Sequence, residues 1–270
     1  MNIDILYNNA IGRCLMKVIQ NSGAIKLTAK FLNSGLSRPM IAGYIEKNRI
    51  DMKLFEGQTY DSFASFFSRK KDDFYCETNP DTIISPCDGL LSMYPITSGM
   101  IIPMKGSHYR LTDVIPDEET AQQYKDGLCM VFRLQASDYH HFCSFDDLTL
   151  KETHFIPGKL HSVQPIACET VPVYRLNRRW WSILDTDHFG QAIQVEVGAM
   201  MVGGVAFERE KGSFQKGEEM GCFVLAGSTI MLFVNSSARE RLEFIEPFTD
   251  AMNGEKEVPV TMRETIGRLK

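Results

Sequence analysis

The sequence predicts an α+β protein: a helical N-terminal region followed by a β-rich domain. Two observations carry this. At Ile11, Leu15, Val18, Ile25, Ala29 and Leu32, apolar residues recur on one face at helical spacing. From residue 80 onward the texture changes to short apolar runs bounded by Gly, Pro, Asp and Asn, as in "TIISPCDG", "GLCMVFRL", "AIQVEVGAMMVGGVAF" and "CFVLAGSTIMLFV". At 270 residues, 44% hydrophobic and 23% charged, the chain can bury a sizeable core, and disorder is excluded. The expected division is residues 1–70 helical and residues 71–270 β-rich.

The helical region is interrupted by "NSG" at 21–23 and again at 33–35, residue types that end helices. Ser37, before "RPMIAGYIEK", is the expected N-cap of a second helix. Between residues 11 and 50 stand Arg13, Lys17, Lys26, Lys30, Arg38, Lys47 and Arg49 against the single acid Glu46. That segment is +6 in a chain of net −5, so the remainder carries −11. A basic amphipathic helix on an acidic protein fits either ordinary packing on its own domain or contact with an anionic phospholipid membrane. "YDSFASFFSRK" closes the region with four aromatics. Farther on, "QVEV" alternates as a half-buried strand does, and the polar tail ends in a short amphipathic piece.

The seven cysteines are odd in number and form no CxxC pair, which points to reduced thiols in the cytosol and away from disulfides or a zinc ribbon. No apolar run approaches the roughly 20 residues of a membrane span, and "MNIDILYNN" lacks the features of a signal peptide. A phosphate loop, HExxH, a G-x-S-x-G elbow and a Rossmann glycine pattern are all absent. The adjacent His140 and His141 point apart on either a strand or a helix, so no metal is expected.

What remains is polar groups in apolar settings. Asp88 follows a buried-looking run and reads first as an Asp-Gly turn. His140 lies in "RLQASDYHHFC", where a hydrogen-bonded structural histidine is the plain reading. Ser228 is stranger. "FVLAGSTIMLF" reads as one buried strand, yet Gly227, Ser228 and Thr229 occupy its middle, where glycine packs nothing and a hydroxyl needs a partner or a purpose. One purpose is attack by the hydroxyl on the carbonyl of Gly227, where the missing side chain leaves room. An N→O acyl shift and β-elimination would then cut the chain and leave a pyruvoyl group.

The run "KGEEMGCFVLAGSTIMLF" closely resembles the C-terminal motif of the phosphatidylserine decarboxylases. "ILYNNAIGR", "YDSFASFFSRK", "SPCDG", "IPMKGSHYRL", "FRLQASDYHHF", "GKLHSVQP", "NRR" and "VEVGAMMVGG" are similar to that family's landmarks, in its order, from Ile5 to Phe233. The resemblance implies cleavage between Gly227 and Ser228 and a covalent pyruvoyl cofactor at residue 228. It implies that Asp88 is the acid of an Asp-His-Ser relay, that His140 serves decarboxylation, and that the N-terminal region contacts the membrane. The implied activity is decarboxylation of phosphatidylserine to phosphatidylethanolamine by a carboxy-lyase peripheral to the cytoplasmic face of the membrane. Its cleaved α and β chains would stay together as a heterodimer or a dimer of these, and no nucleic acid is involved.

The chain departs from the family at three positions: Cys143 replaces a second histidine, Gln164 an asparagine, and Ala226 a Gly or Leu. Cys143 removes the imidazole expected to deprotonate the serine, leaving Cys143, His140 and His141 as candidate bases. A helix-like turn would point His140 and Cys143 together, and the family's pairing of histidines three apart favours it. An extended strand would instead pair His141 with Cys143. Two alternatives remain: a pyruvoyl decarboxylase of a soluble amino acid, or a non-cleaving relative that binds lipid or a partner.

Overall fold

The computed structural model describes residues 7, 9, 12, 22–71, 75–104, 107–199, 204–225, 228–254 and 256–270. Helices come first. α1 (Ser22–Leu32) stops at the second "NSG", where Asn33 still donates to the carbonyl of Ala29. α2 (Met40–Asn48) ends at Arg49, whose backbone turns left-handed (φ 53°). α3 (Phe63–Phe67) begins at Ser62, whose hydroxyl accepts from the Ser65 N–H (3.2 Å) while the Ser65 hydroxyl accepts from the Ser62 N–H (3.1 Å). Ile11, Leu15 and Val18 of the expected stripe, with Arg13 and Lys17, lie outside the described residues.

Ser37 corrects an expectation. The helix after it starts at Met40, behind Pro39, and Ser37 caps nothing. It is fully buried as a joint: its hydroxyl donates to the carbonyls of Leu32 and Ser34 and accepts from Phe63 N–H (2.8 Å), tying α1 to α3. Proline's fixed φ already suits a helix start, so the serine was free for another task.

Among the described residues sixteen strands follow in chain order: β1 (Thr82–Ile84), β2 (Gly89–Pro95), β3 (Ile101–Met104), β4 (Ser107–Arg110), β5 (Leu128–Arg133), β6 (His141–Cys143), β7 (Leu148–Ile156), β8 (Arg179–Thr186), β9 (Gly190–Val197), β10 (Gly204–Phe207), β11 (Gly212–Phe214), β12 (Glu219–Val224), β13 (Thr229–Val234), β14 (Leu242–Phe244), β15 (Val258–Val260) and β16 (Thr265–Leu269). The tail expected to be amphipathic thus supplies two strands. The central element is an eight-stranded antiparallel sheet, β11-β7-β8-β9-β13-β5-β2-β15. Two three-stranded sheets, β10-β12-β6 and β1-β16-β14, supply further strands.

Residues alternate across the large sheet as strand geometry requires. Leu91, Phe132, Leu134, Ile230 and Leu232 join one buried cluster, which also holds Phe142, Phe223 and Ile266 from the small sheets. Val131, Val195, Val197, Met231 and Phe233 join a second cluster on the opposite face, together with Tyr7. A third cluster unites Leu32, Ile50, Phe63, Phe66 and Phe67 with Leu225. The helical region therefore packs its aromatics against the residue that ends the β12 side of the unusual Gly-Ser-Thr segment.

That segment is not one strand, which is the second correction. β12 lies in the β10-β12-β6 sheet and β13 in the eight-stranded sheet. Between them the chain crosses from one sheet to the other, and Leu225 takes a left-handed backbone (φ 65°). An apolar run buried on both sides of a crossing has the same composition as an unbroken core strand, so the break is invisible to hydrophobicity. A third correction concerns "QVEV": Gln194 and Glu196 are fully buried, and the strand carrying them is covered on both faces.

Candidate active site

Ser228 sits at the crossing, immediately before β13. Its carbonyl accepts from Leu134 N–H at 2.9 Å, which continues the β5–β13 register (Thr229↔Arg133) by one pair. Alternation then turns its side chain to the face of Ile230 and Leu134. The residue is 1% exposed, and its hydroxyl has no hydrogen-bond partner among the described residues. Buried hydroxyls are mostly bonded; among the described residues Ser228 shares the unpartnered state with the hydroxyls of Ser92, Tyr94, Tyr109, Tyr124 and Thr229, and differs from them in standing where the chain changes sheets. Ala226 and Gly227 lie outside the described residues.

Asp88 stands two strands away, just ahead of β2, where Leu90 pairs with Arg133 from the side opposite Thr229. Asp88 and Ser228 thus share one end of the sheet, separated by the width of β5, roughly 10 Å between strand axes. The Asp88 carboxylate accepts from Met262 N–H (2.8 Å) and Tyr139 N–H (3.2 Å) and pairs with Lys71 Nζ at 3.5 Å. Gly89 is required after it: a Cβ there would lie 2.8 Å from the Arg133 carbonyl oxygen, and its φ is +151°. Asp88 is therefore both a turn residue and a clamp on the backbone that carries His140, and it does not bond an imidazole.

His140 is fully buried, its ring 4.2 Å from that of Phe67 in α3. Nδ1 is 2.9 Å from the carbonyl oxygen of Asp138, so Nδ1 carries the proton and donates it. Nε2 keeps its lone pair and has no partner among the described residues. Burial, aided by the charge of Arg69, drives the imidazole down to about 3, so it is neutral at ordinary pH. The Arg69 guanidinium is itself buried over the rings of Phe55 (4.8 Å) and Phe66 (4.9 Å) and donates to the carbonyls of Ser137 and Asp138.

The "HFC" part of the "DYHHFC" segment, His141–Cys143, is extended, against the turn that the family spacing favours. Pairing with β12 (Glu219↔Cys143, Gly221↔Phe142, Cys222↔His141) decides it, because a strand against β12 satisfies the backbone where a local turn would not. His141 and Cys143 share a face, as the alternative geometry required, yet both are occupied. His141 Nδ1 meets Glu219 Oε1 at 2.7 Å, Nε2 meets the Ser68 carbonyl at 3.2 Å, and the ring stacks on Tyr139. Burial works against the charge of Glu219, but the bonds from His141 and Lys70 outweigh it and hold the carboxyl below its usual range. The Cys143 thiol points to the Ser85 carbonyl (3.7 Å), and burial pushes it up to about 12, which removes it as a base near neutral pH.

The structure brings Ser228 and Asp88 to one end of the large sheet, ties Tyr139, the neighbour of His140, to Asp88, and gives His141 and Cys143 structural partners. Sequence reasoning missed Arg69, Lys71 and Glu196. The last was signalled by a carboxylate alternating into an otherwise apolar strand. Among the described residues, no group of three or more His, Cys, Asp or Glu is placed to hold a metal ion.

Residues 61–268 match the family model described as phosphatidylserine decarboxylase. The chain is 37% identical over 270 residues to the "phosphatidylserine decarboxylase proenzyme 2" of Clostridium acetobutylicum, covering 98% of this chain and 91% of that one. It is 33% identical to the "phosphatidylserine decarboxylase proenzyme" of Clostridium botulinum (97% and 90% covered). The same identity and coverage hold for a Clostridium perfringens proenzyme. A family match over residues 61–268, together with relatives at 33–37% identity over nearly the whole length, places the chain in the phosphatidylserine decarboxylase family.

Proposed function

We propose that the chain cuts itself between Gly227 and Ser228, that residue 228 becomes a pyruvoyl group, and that the processed protein decarboxylates phosphatidylserine to phosphatidylethanolamine. The decarboxylase activity follows from the family. The observation that carries the rest is the Ser228 hydroxyl, buried and unpartnered where the chain leaves one sheet for another.

The residues present fit the group. Residue 228 is held through its carbonyl by Leu134 N–H, and that bond does not involve the atoms that react. A pyruvoyl ketone there supplies an electron sink as CO2 leaves. His140 is neutral, and the lone pair on Nε2, unpartnered among the described residues, accepts a hydrogen bond from the N–H of the substrate amine and orients it. Phe67 and the aromatics of α3 exclude water from that nitrogen. Asp88 fixes the backbone at Tyr139, next to His140, and so sets where the ring stands.

The N-terminal region supports peripheral contact with an anionic phospholipid surface on the cytoplasmic side. Leu27 (71% exposed), Leu36 (79%) and Leu54 (63%) are exposed in the same segment as Lys26, Lys30, Arg38 and Lys53. Among the described residues no helix is long and apolar enough to cross a membrane. The test of the proposal is Ser228→Ala: it should remain one chain with no decarboxylase activity, and cleavage at this bond in that variant would refute the reading.

A further inference from the structure

Three groups expected to activate Ser228 are poorly placed for it. Cys143 is a thiol held near 12, His141 has both ring nitrogens engaged, and Asp88 spends its oxygens on backbone N–H groups and Lys71. The fourth, His140, is pressed down to about 3 and is a weak proton acceptor. Yet the hydroxyl must lose a proton to attack Gly227.

The other flank of Ser228 offers a group that no sequence argument singled out. β9 pairs with β13 on the side away from β5, with Glu196 directly opposite Ile230 and Val197 opposite Thr229. Val195 and Val197 face the second core cluster, so Glu196 faces the first, as Ile230 and Leu134 do. Ser228 is two residues from Ile230 on that same face. Glu196 and Ser228 are therefore diagonal neighbours on adjacent strands, about 7 Å apart at the backbone and within reach of a long side chain. Glu196 is fully buried; Oε1 accepts from Gln194 Nε2 at 2.8 Å, and Oε2 has no partner among the described residues. Two orphaned oxygens, one carboxylate and one hydroxyl, thus stand diagonally on one buried face.

We propose that Glu196 is the proton acceptor for Ser228 in self-cleavage, an inference that rests on the pyruvoyl reading above. The Ser228 Oγ–H proton passes to Glu196 Oε2 as Oγ bonds to the Gly227 carbonyl carbon. The C–N bond to Ser228 then breaks, its electron pair staying on nitrogen, which takes the proton back from Glu196. The result is an ester between Gly227 and Ser228. Water takes the Ser228 Cα proton as Cβ–Oγ breaks, which releases the Gly227 carboxylate and leaves a dehydroalanine enamine; a proton returned at Cβ, with loss of one from nitrogen, makes it an imine. Water then replaces the nitrogen, which leaves as ammonia, and no oxidant or reductant is used.

Glu196 suits the task in charge as well as place. Burial raises its carboxyl to about 7, with the Gln194 amide and its own backbone N–H pulling the other way. Its neighbours on the shared face are uncharged: Trp180 across β8, Ile230 across β13 and Gln194 along β9. Among the described residues no charged group contributes to that shift. A base near the working pH is half ionised and still accepts a proton readily, whereas a group near 3 accepts one poorly and a group near 12 is almost never in the form that can accept one.

The experiment is cell-free synthesis of the full chain with labelled methionine, followed by chase at several pH values and separation on a denaturing gel. For the wild type we expect the cleavage rate to rise with pH through about 7 and level off, as ionisation of Glu196 requires. Glu196→Gln keeps the shape and the Gln194 contact, and should cut at least about a hundredfold more slowly with no pH dependence. Glu196→Gln cutting at the wild-type rate, with Ser228→Ala uncut, overturns this inference and leaves the pyruvoyl reading standing. Ser228→Ala cutting at the same bond overturns the reading beneath it. Should Glu196→Gln fail to fold, the wild-type profile decides alone, and a rate flat between about pH 5.5 and 8.5 overturns the proposal.

Discussion

Leu134 donates its backbone N–H to the carbonyl oxygen of Ser228 at 2.9 Å, one pair beyond the last ladder pair of β5 and β13. Residue 228 therefore belongs to the large sheet, while Leu225 packs with the N-terminal helices. A cut between 227 and 228 separates two elements that belong to different sheets, and it breaks no ladder in either.

The first prediction follows. The smaller product begins with β13, every residue of which is buried between β5 and β9. The two products should co-elute in native size exclusion at any dilution and part only in denaturant. Dissociation of the short chain in native buffer would contradict the placement of β13.

His140 gives a pH signature. Its folded value of about 3 lies below the ordinary 6.5, so between these the unfolded chain binds more protons. The stability contributed by keeping this ring neutral is fully present above 6.5 and is lost as pH falls toward 3. His140→Gln should lose less stability on acidification than wild type, measured by denaturant midpoints at each pH. The same variant should be cut at residue 228 yet decarboxylate at least about a hundredfold more slowly. A variant that stays uncut would move the proton acceptor from Glu196 to His140.

Cys143 should prove structural. Cys143→Ala removes a buried sulfur and should cost about 1 kcal/mol while cleaving at the wild-type rate. Cys143→His, which restores the family's usual residue, places a larger polar ring in a fully buried site beside Ser85 and should destabilise by about 1–3 kcal/mol. Faster cleavage in Cys143→His at unchanged stability would refute the assignment.

Much of this was legible in the sequence, and the losses have identifiable causes. The helical start, the β-rich body and the Asp-Gly turn at Asp88 were readable because periodicity and turn chemistry are local. The change of sheet between β12 and β13 was not, because both strands are apolar and hydropathy cannot distinguish one buried strand from two. Gln194 and Glu196 in "QVEV" read as a solvent face because alternation marks a change of side, not which side is wet. The extended "HFC" part of "DYHHFC" was decided by pairing with β12, a contact distant in sequence.

Glu196 also makes a stability prediction. Its folded value of about 7 exceeds the ordinary 4.5, so the folded state binds its proton more tightly. Stability is therefore lost as pH rises between these values, with slope of opposite sign to that of His140. At pH above about 7, Glu196→Gln in a Ser228→Ala background should be more stable than Ser228→Ala alone, on the order of 3 kcal/mol, and near-equal below about pH 4.5. Equal stability across that range would show that the carboxyl is not desolvated.

Membrane contact has its own test. Leu36→Glu together with Leu54→Glu alters two exposed side chains outside the core, and should greatly weaken co-sedimentation with phosphatidylserine-containing vesicles without changing cleavage. Lys26→Glu with Lys30→Glu should weaken it further at low salt. Undiminished binding in both would exclude this face.

The most direct measurement is the mass of the purified protein under denaturing conditions. The account predicts two chains, the larger ending at Gly227 and the smaller beginning at residue 228 with a pyruvoyl group in place of serine, so that it lacks a free N-terminal amine. A single intact chain, or a smaller chain that begins with an unmodified serine, would contradict it.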